Sequence, residues 1–234
     1  MDTTKEHYTR LLGLESPWSV TRVKLSVENR RVDIFVDYTD TTGVCPECGE
    51  PCRIYDRSPG RSWRHLDTMQ FNTYLHCDPP RVECKRHGIK TMRLPWAGKH
   101  ARFTLLFEAF AVEVIQASRS LRDAEDLLGL NWHQVQAIMK RAVTRGLERR
   151  GHDEVPWIGM DEKSFGKGHD YISTINDLER GRVLDVVEGR EGESAEELIP
   201  RALDEKQREM VCGAAIDMSA PYIKAIRSYL PNAD

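Results

Sequence analysis

Two short segments built alike constrain this chain more than anything else in it. Cys45-Pro46-Glu47-Cys48-Gly49 and Cys84-Lys85-Arg86-His87-Gly88 each set two soft donors two residues apart, then a glycine able to take the positive φ of a tight turn. Two such knuckles supply four ligands, the number a tetrahedral zinc takes. A shell of Cys45, Cys48, Cys84 and His87 leaves no open position, so the expected site is structural. Cys52, His65, His76 and Cys77 are alternative donors, but none belongs to a second close pair followed by glycine. Cys212 sits in an apolar run and is expected in the core. Clustered cysteines of this kind suit a metal better than a disulfide framework, and so suggest a reducing, cytoplasmic setting. No stretch approaches the ~18 apolar residues of a membrane span, and MDTTKEHYTR lacks the apolar centre of a secretory signal.

A length of 234 residues allows two or three cores. Trp18 to Val27 and Val32 to Tyr38 read as a hairpin around Glu28 to Arg31, with Val32, Ile34, Val36 and Tyr38 at strand spacing. Residues 45 to 99 are loop-rich, with strands at Ser62 to Asp67, Phe71 to Cys77 and Arg81 to Cys84, and too little apolar mass to fold unaided. From Ala101 the period turns helical. Phe103, Phe107, Phe110, Val114 and Ala117 share one face. Ser120 and Asp123 resemble a capping box opening a helix through Leu121, Ala124, Leu127 and Leu128. Gly129-Leu130-Asn131 ends it, and a third helix from Trp132 packs through Val135, Ile138, Met139, Ala142 and Val143. Residues 150 to 154 read as a linker. Strands then follow at Val155 to Glu162, Tyr171 to Asn176 and Arg182 to Val187, a helix at Ala195 to Arg208, a strand at Met210 to Asp217 and a helix at Pro221 to Tyr229. That is the order of an α/β domain.

The net charge of -3 conceals opposite halves, since residues 1 to 150 carry 24 Lys and Arg against 19 Asp and Glu, while the remainder carries 10 against 18. A basic front suits a polyanion. Residues 120 to 149 have the punctuation of a helix-turn-helix whose second helix shows His133, Gln134, Gln136, Lys140, Arg141 and Arg145 off its core face. Glutamine suits base edges, while Lys and Arg suit phosphates, so double-stranded DNA is the expected partner. A solvated face of an ordinary three-helix bundle carries the same residues. Ten further cations between Arg53 and Lys99 add a second basic surface.

Asp161 closes one apolar strand and Asp217 another. Side by side and parallel, the two carboxylates would share Mg²⁺ as two-metal phosphoryl transfer requires, although strand-ending aspartates also serve as caps and turn residues.

Gly159-Met160-Asp161-Glu162-Lys163-Ser164-Phe165, Gly168-His169-Asp170-Tyr171, Ala215-Ile216-Asp217-Met218 and Pro221-Tyr222-Ile223-Lys224-Ala225-Ile226 together resemble the DDE transposases of bacterial insertion sequences. The chain is similar to the ISL-three family in particular, and Leu11-Leu12-Gly13-Leu14 and the Cys-Pro-x-Cys-Gly of the first knuckle match it too. The resemblance implies a multidomain α+β fold. Its parts are a β-rich zinc-binding module over residues 1 to 100, a helix-turn-helix module over 101 to 150, and an incomplete ribonuclease H-like α/β catalytic domain over 151 to 234. It further implies that Asp161 and Asp217 are the first two metal-binding acids of a triad whose third member is a glutamate well downstream. No glutamate follows Asp217 here, so a truncated and inactive chain is expected. The implied activity is DNA cleavage and strand transfer at element ends by a homo-oligomer. The alternative is a non-catalytic, zinc-containing DNA-binding protein or repressor derived from a transposase.

Overall fold

The hairpin forms as its alternation requires. The computed structural model describes residues 3–151, 153–164, 170–189, 192–217 and 220–233, and it divides into two units, Met1–Leu147 and Glu148–Asp234. In the first unit β1 (Trp18–Ser26) pairs antiparallel with β2 (Arg31–Tyr38). Every second residue of β2, from Val32 to Tyr38, is buried, so one face of the pleat meets the core. β5 (Arg61–Thr68) and β6 (Phe71–Cys77) complete a sheet of order β1-β2-β6-β5, with β6 parallel to β2. Its core gathers Val20, Ile34, Trp63, Leu75 and Trp96. The amino-terminal helix α1 (Thr3–Leu11) leans on β1, where Thr9 Oγ1 accepts from the Val20 amide at 3.2 Å.

Residues 45 to 99 hold more strand than expected. β3 (Thr42–Val44), β4 (Pro51–Arg57), β7 (Pro80–Cys84) and β8 (Gly88–Thr91) form a second, antiparallel sheet of order β3-β4-β7-β8. Apolar mass is scarce in this sheet alone, because Trp63, Leu75 and Trp96 of the same stretch join the core of the first sheet. The buried apolar cluster of the second sheet is Tyr38, Val82 and Met92. Packing is close, since a Cβ at Gly43 would collide with Met92 Sδ.

Three capped helices follow within the first unit. Thr104 caps α2 (Leu105–Ala117) by accepting from Phe107 N, and Ser120 caps α3 (Leu121–Leu128) by accepting from Asp123 N. Gly129 ends α3 in the left-handed region at φ 62°, where a Cβ would cost energy. Asn131 and Gln134 open α4 (Trp132–Glu148) as a reciprocal pair, each side-chain oxygen accepting from the other's amide at 3.0 Å. The core of this bundle is Phe103, Phe107, Ala111, Leu128, Val135 and Ile138. Phe110, Ala117, Leu127 and Val143, expected on the packed faces, are exposed. The buried stripe of α2 runs instead through Phe107, Glu108 and Ala111, because a carboxylate takes part in its packing. The bundle joins the first sheet through β5, where the Thr104 amide donates to Arg64 O at 3.0 Å and Leu66 packs on the bundle core.

In the second unit β9 (Trp157–Ser164), β10 (Tyr171–Asp177) and β11 (Arg182–Glu188) run antiparallel, and β12 (Gly213–Ile216) returns parallel to β9, giving the order β11-β10-β9-β12. The expected helix from Ala195 to Arg208 is two helices, α5 (Gly192–Ala202) and α6 (Glu205–Met210). Asp204 starts the second with a complete capping box to Gln207, which outweighs continuation. α7 (Ala220–Tyr229) closes the core with Tyr222, Ala225 and Ile226. Cys212 is exposed rather than core, because the strand begins only at Gly213 and Val211 is the buried neighbour. The segment read as a linker is held to this unit, as Arg150 donates to Leu184 O at 2.9 Å and Ala202 O at 2.6 Å, and Gln207 donates to Asp153 O at 2.7 Å. Among the described residues no helix is long and apolar enough to cross a membrane.

Candidate metal centres and nucleic-acid interface

The two knuckles are brought together by pairing β4 with β7, which carries the turn before Pro51 to the turn after Cys84. Gly49 and Gly88 take φ values of 76° and 67°, as tight Cys-rich turns require. The donor atoms of Cys45, Cys48, Cys84 and His87 all lie within 4.8 Å of one another. Cys48 Sγ is 3.7 Å from Cys84 Sγ, and His87 Nδ1 is 3.7 Å from Cys45 Sγ and 3.6 Å from Cys84 Sγ. Zinc bond lengths in a tetrahedron give about 3.8 Å between two sulfurs and about 3.6 Å between sulfur and nitrogen. The four donors therefore stand where zinc would hold them. Backbone amides of Arg86 and His87 bring the Cys84 thiol down to about 7, and that of Cys48 lowers Cys45, whereas burial and the neighbouring Cys45 and Cys84 thiols push Cys48 up to about 11.

Cys52 borders the cluster, its thiol raised by burial and by Cys84 and Cys45 beside it, and the two histidines have partners elsewhere. Cys52 Sγ meets Glu50 O at 3.4 Å, His65 Nδ1 lies 2.9 Å from Thr104 Oγ1, and His76 Nε2 lies 2.6 Å from Asp33 Oδ1. Cys77 is buried, and burial pushes its thiol up to about 12.

On α4, His133, Gln136 and Lys140 are exposed. Three residues chosen with them have internal work. Gln134 gives its side-chain oxygen to the cap at Asn131. Arg141 and Arg145 both bind Glu108, at 2.6 and 3.0 Å, and the Glu108 side chain is only 2% exposed. A buried carboxylate needs such partners, and two arginines one turn apart provide them. The signal lay in the sequence as a lone acid on the apolar side of α2 facing an Arg pair at spacing four.

Asp161 lies in β9, and the parallel register of β12 pairs Ala215 with Gly159 and Ile216 with Met160. Asp161 follows Met160 and Asp217 follows Ile216, the last pair of that register, and both aspartates are exposed. Behind them Tyr222, buried on α7, bonds Ser173 Oγ at 2.8 Å. Burial raises the Tyr222 phenol, and Glu162 and Asp161 add to the rise. Sequence reading missed this tyrosine as more than a family match. Phe165, Gly168, His169 and Met218 of the motif lie outside the described residues.

Three families match consecutive parts of the chain. The zinc-finger of the transposases of IS204, IS1001, IS1096 and IS1165 matches residues 41–87, the helix-turn-helix domain of transposase family ISL3 matches residues 92–143, and the ISL3 transposase domain matches residues 158–234. The transposase of insertion sequence element IS1001 from Bordetella parapertussis is 26% identical over 229 residues, covering 95% of this chain and 55% of that protein. The transposase of element IS1557 from Mycobacterium tuberculosis is 33% identical over 143 residues, covering 60% of this chain and 32% of the relative. The chain thus spans about half the length, or less, of the curated relatives it matches. No solved structure matches it. With zinc-finger, helix-turn-helix and transposase segments matched in that order, the chain belongs to the ISL3 family of transposases.

Proposed function

We propose that this protein acts in DNA transposition, binding the ends of an insertion sequence and taking part in metal-dependent DNA cleavage and strand transfer. It would do so in the cytoplasm as a homo-oligomer on DNA. Its working parts are the zinc module over residues 1 to 100, the helix-turn-helix over 101 to 150 and the acid-bearing sheet over 151 to 234.

One observation carries the catalytic part of the reading: the register of β12 on β9, whose last pair, Ile216 with Met160, stands one residue before each aspartate. The order β11-β10-β9-β12, three antiparallel strands and a parallel return, supports a ribonuclease H-like fold. A Mg²⁺ ion held there would stabilise the attacking and leaving oxygens of an in-line phosphoryl transfer. Asp161 and Asp217 would supply carboxylate oxygens to it, and Tyr222 would brace β10 through Ser173 behind them. On the DNA-binding side, α4 would enter the major groove with Gln136 and His133 toward base edges and Lys140 toward phosphate. Arg141 and Arg145 would act mainly by fixing α4 against α2 through Glu108.

Footprinting on the DNA that flanks this protein's own gene tests the reading. Protection of matched sequences at the two borders, above competitor DNA, is the expected result. Equal affinity for border and unrelated duplex would remove the element-end assignment.

A further inference from the structure

The ten cations between Arg53 and Lys99 are not equivalent, and their partners separate them. Arg57 pairs with Asp37 at 2.6 Å, Arg64 with Asp67 and Arg81 with Asp56. Those three charges are met within the protein. Arg61, Arg93 and Lys99 have no ion pair among the described residues. They line one surface cleft of about 590 Å³ together with Lys90, His100 and a single acid, Glu47. Lys90 reaches Glu47 only at 3.9 Å with both side chains well exposed, a pair of small energetic weight.

Two of the cleft cations are already oriented. Arg93 donates to Pro46 O at 2.7 Å, and Arg61 donates to Ala101 O at 3.0 Å. One backbone carbonyl fixes each guanidinium and leaves most of its five N–H donors for another acceptor. Such donors suit phosphate oxygens, which accept in a fork. The cations also come from separate stretches of chain, β5, β8 and residues 93 to 100, so they form an extended array rather than a socket for one small anion.

We infer that this cleft grips the phosphate backbone of duplex DNA, giving the first unit a second DNA contact distinct from α4. The inference rests on the DNA-binding reading above and adds to it the residues and the face concerned. Zinc becomes part of DNA affinity as well as of folding, because Pro46, the anchor of Arg93, lies inside the first knuckle.

The test is fluorescence anisotropy of the zinc-loaded 234-residue protein on a random-sequence duplex, repeated across a salt series. Arg93→Gln and Lys99→Gln are compared with Lys24→Gln, which removes one exposed charge from β1 outside the cleft. Each cleft substitution is expected to lower the slope of log affinity against log salt by about 0.9. Zinc content should stay unchanged, Arg93→Lys should restore most of the affinity, and Lys24→Gln should leave the slope nearly intact. An unchanged slope in both cleft variants, with Lys140→Ala still weakening binding, would overturn the cleft and spare the helix. Equal losses in Lys24→Gln and Lys99→Gln would overturn it as diffuse charge. Failure of the unaltered protein to bind any duplex would overturn the DNA-binding reading and this inference with it.

Discussion

Removing zinc should dismantle one sheet of this protein and leave the others standing. The buried apolar cluster of the sheet β3-β4-β7-β8 is Tyr38, Val82 and Met92, with Trp18, Cys52 and Ile54 partly buried against it. Full burial is worth about 1.5–3 kcal/mol for each large apolar side chain. A structural zinc contributes about 10–16 kcal/mol in small finger domains, so here the metal outweighs the three buried side chains together. The sheet β1-β2-β6-β5 has its own core, with Ile34, Trp63 and Leu75 at 0% exposure, and needs no metal. Hydrogen exchange before and after chelation reads this directly. Amides of Pro51–Arg57, Pro80–Cys84 and Gly88–Thr91 should lose protection, while those of β9 and β10 keep theirs. Cys48→Ser and Cys84→Ser should reproduce the loss, and Cys52→Ser and Cys77→Ser should retain one zinc. Unchanged protection in the metal-free protein, or retained zinc in a Cys48→Ser/Cys84→Ser double variant, would refute the reasoning.

Glu108→Ala should destabilise the first unit by about 3 kcal/mol in urea unfolding, since it strips a buried carboxylate from Arg141 and Arg145; a loss below about 1 kcal/mol would mean the cluster is idle. Burial, with the Arg64 charge second, holds His65 down to about 4, below its unfolded value of about 6.5. Stability from the neutral ring is therefore complete above about pH 6.5 and falls as pH drops toward 4, by at most about 3 kcal/mol. His65→Gln should flatten that slope, and parallel slopes in the two proteins would contradict the assignment. On α4, Gln136→Ala should relax sequence preference and Lys140→Ala should weaken all duplexes, read by competition binding. Gln134→Ala should instead cost about 1 kcal/mol of helix stability through its cap. An intact preference in Gln136→Ala would return that face to solvent.

The parts legible in the sequence were those whose residue types leave few choices. Knuckle spacing led to the four zinc donors, and the alternation Val32, Ile34, Val36, Tyr38 led to β2 and its buried face. Caps and the glycine turn marked α3 and the start of α4. What stayed hidden has a common physical source. β4 reads Pro51-Cys52-Arg53-Ile54-Tyr55-Asp56-Arg57, with no residue fully buried, because metal and not apolar burial fixes it. α1 likewise buries no residue. On α4, residue type suggested Arg141 and Arg145 as phosphate ligands, but whether an arginine meets DNA or a buried Glu108 depends on a helix far away in sequence. The break between α5 and α6 turned on one capping aspartate inside an otherwise helical pattern.

The pairing of Asp161 with Asp217 at a common metal is tested most directly by loading the protein with Fe²⁺ and generating hydroxyl radicals with ascorbate and peroxide. A bound ion cuts the backbone that surrounds it, so its ligands are mapped without any catalytic turnover. The account predicts two cut zones in one sample, within β9 beside Asp161 and just after β12 beside Asp217. Excess Mg²⁺ should suppress both zones, and Asp161→Asn or Asp217→Asn should abolish both together. A single zone, or two zones that answer to the two substitutions separately, would show that these carboxylates do not share an ion.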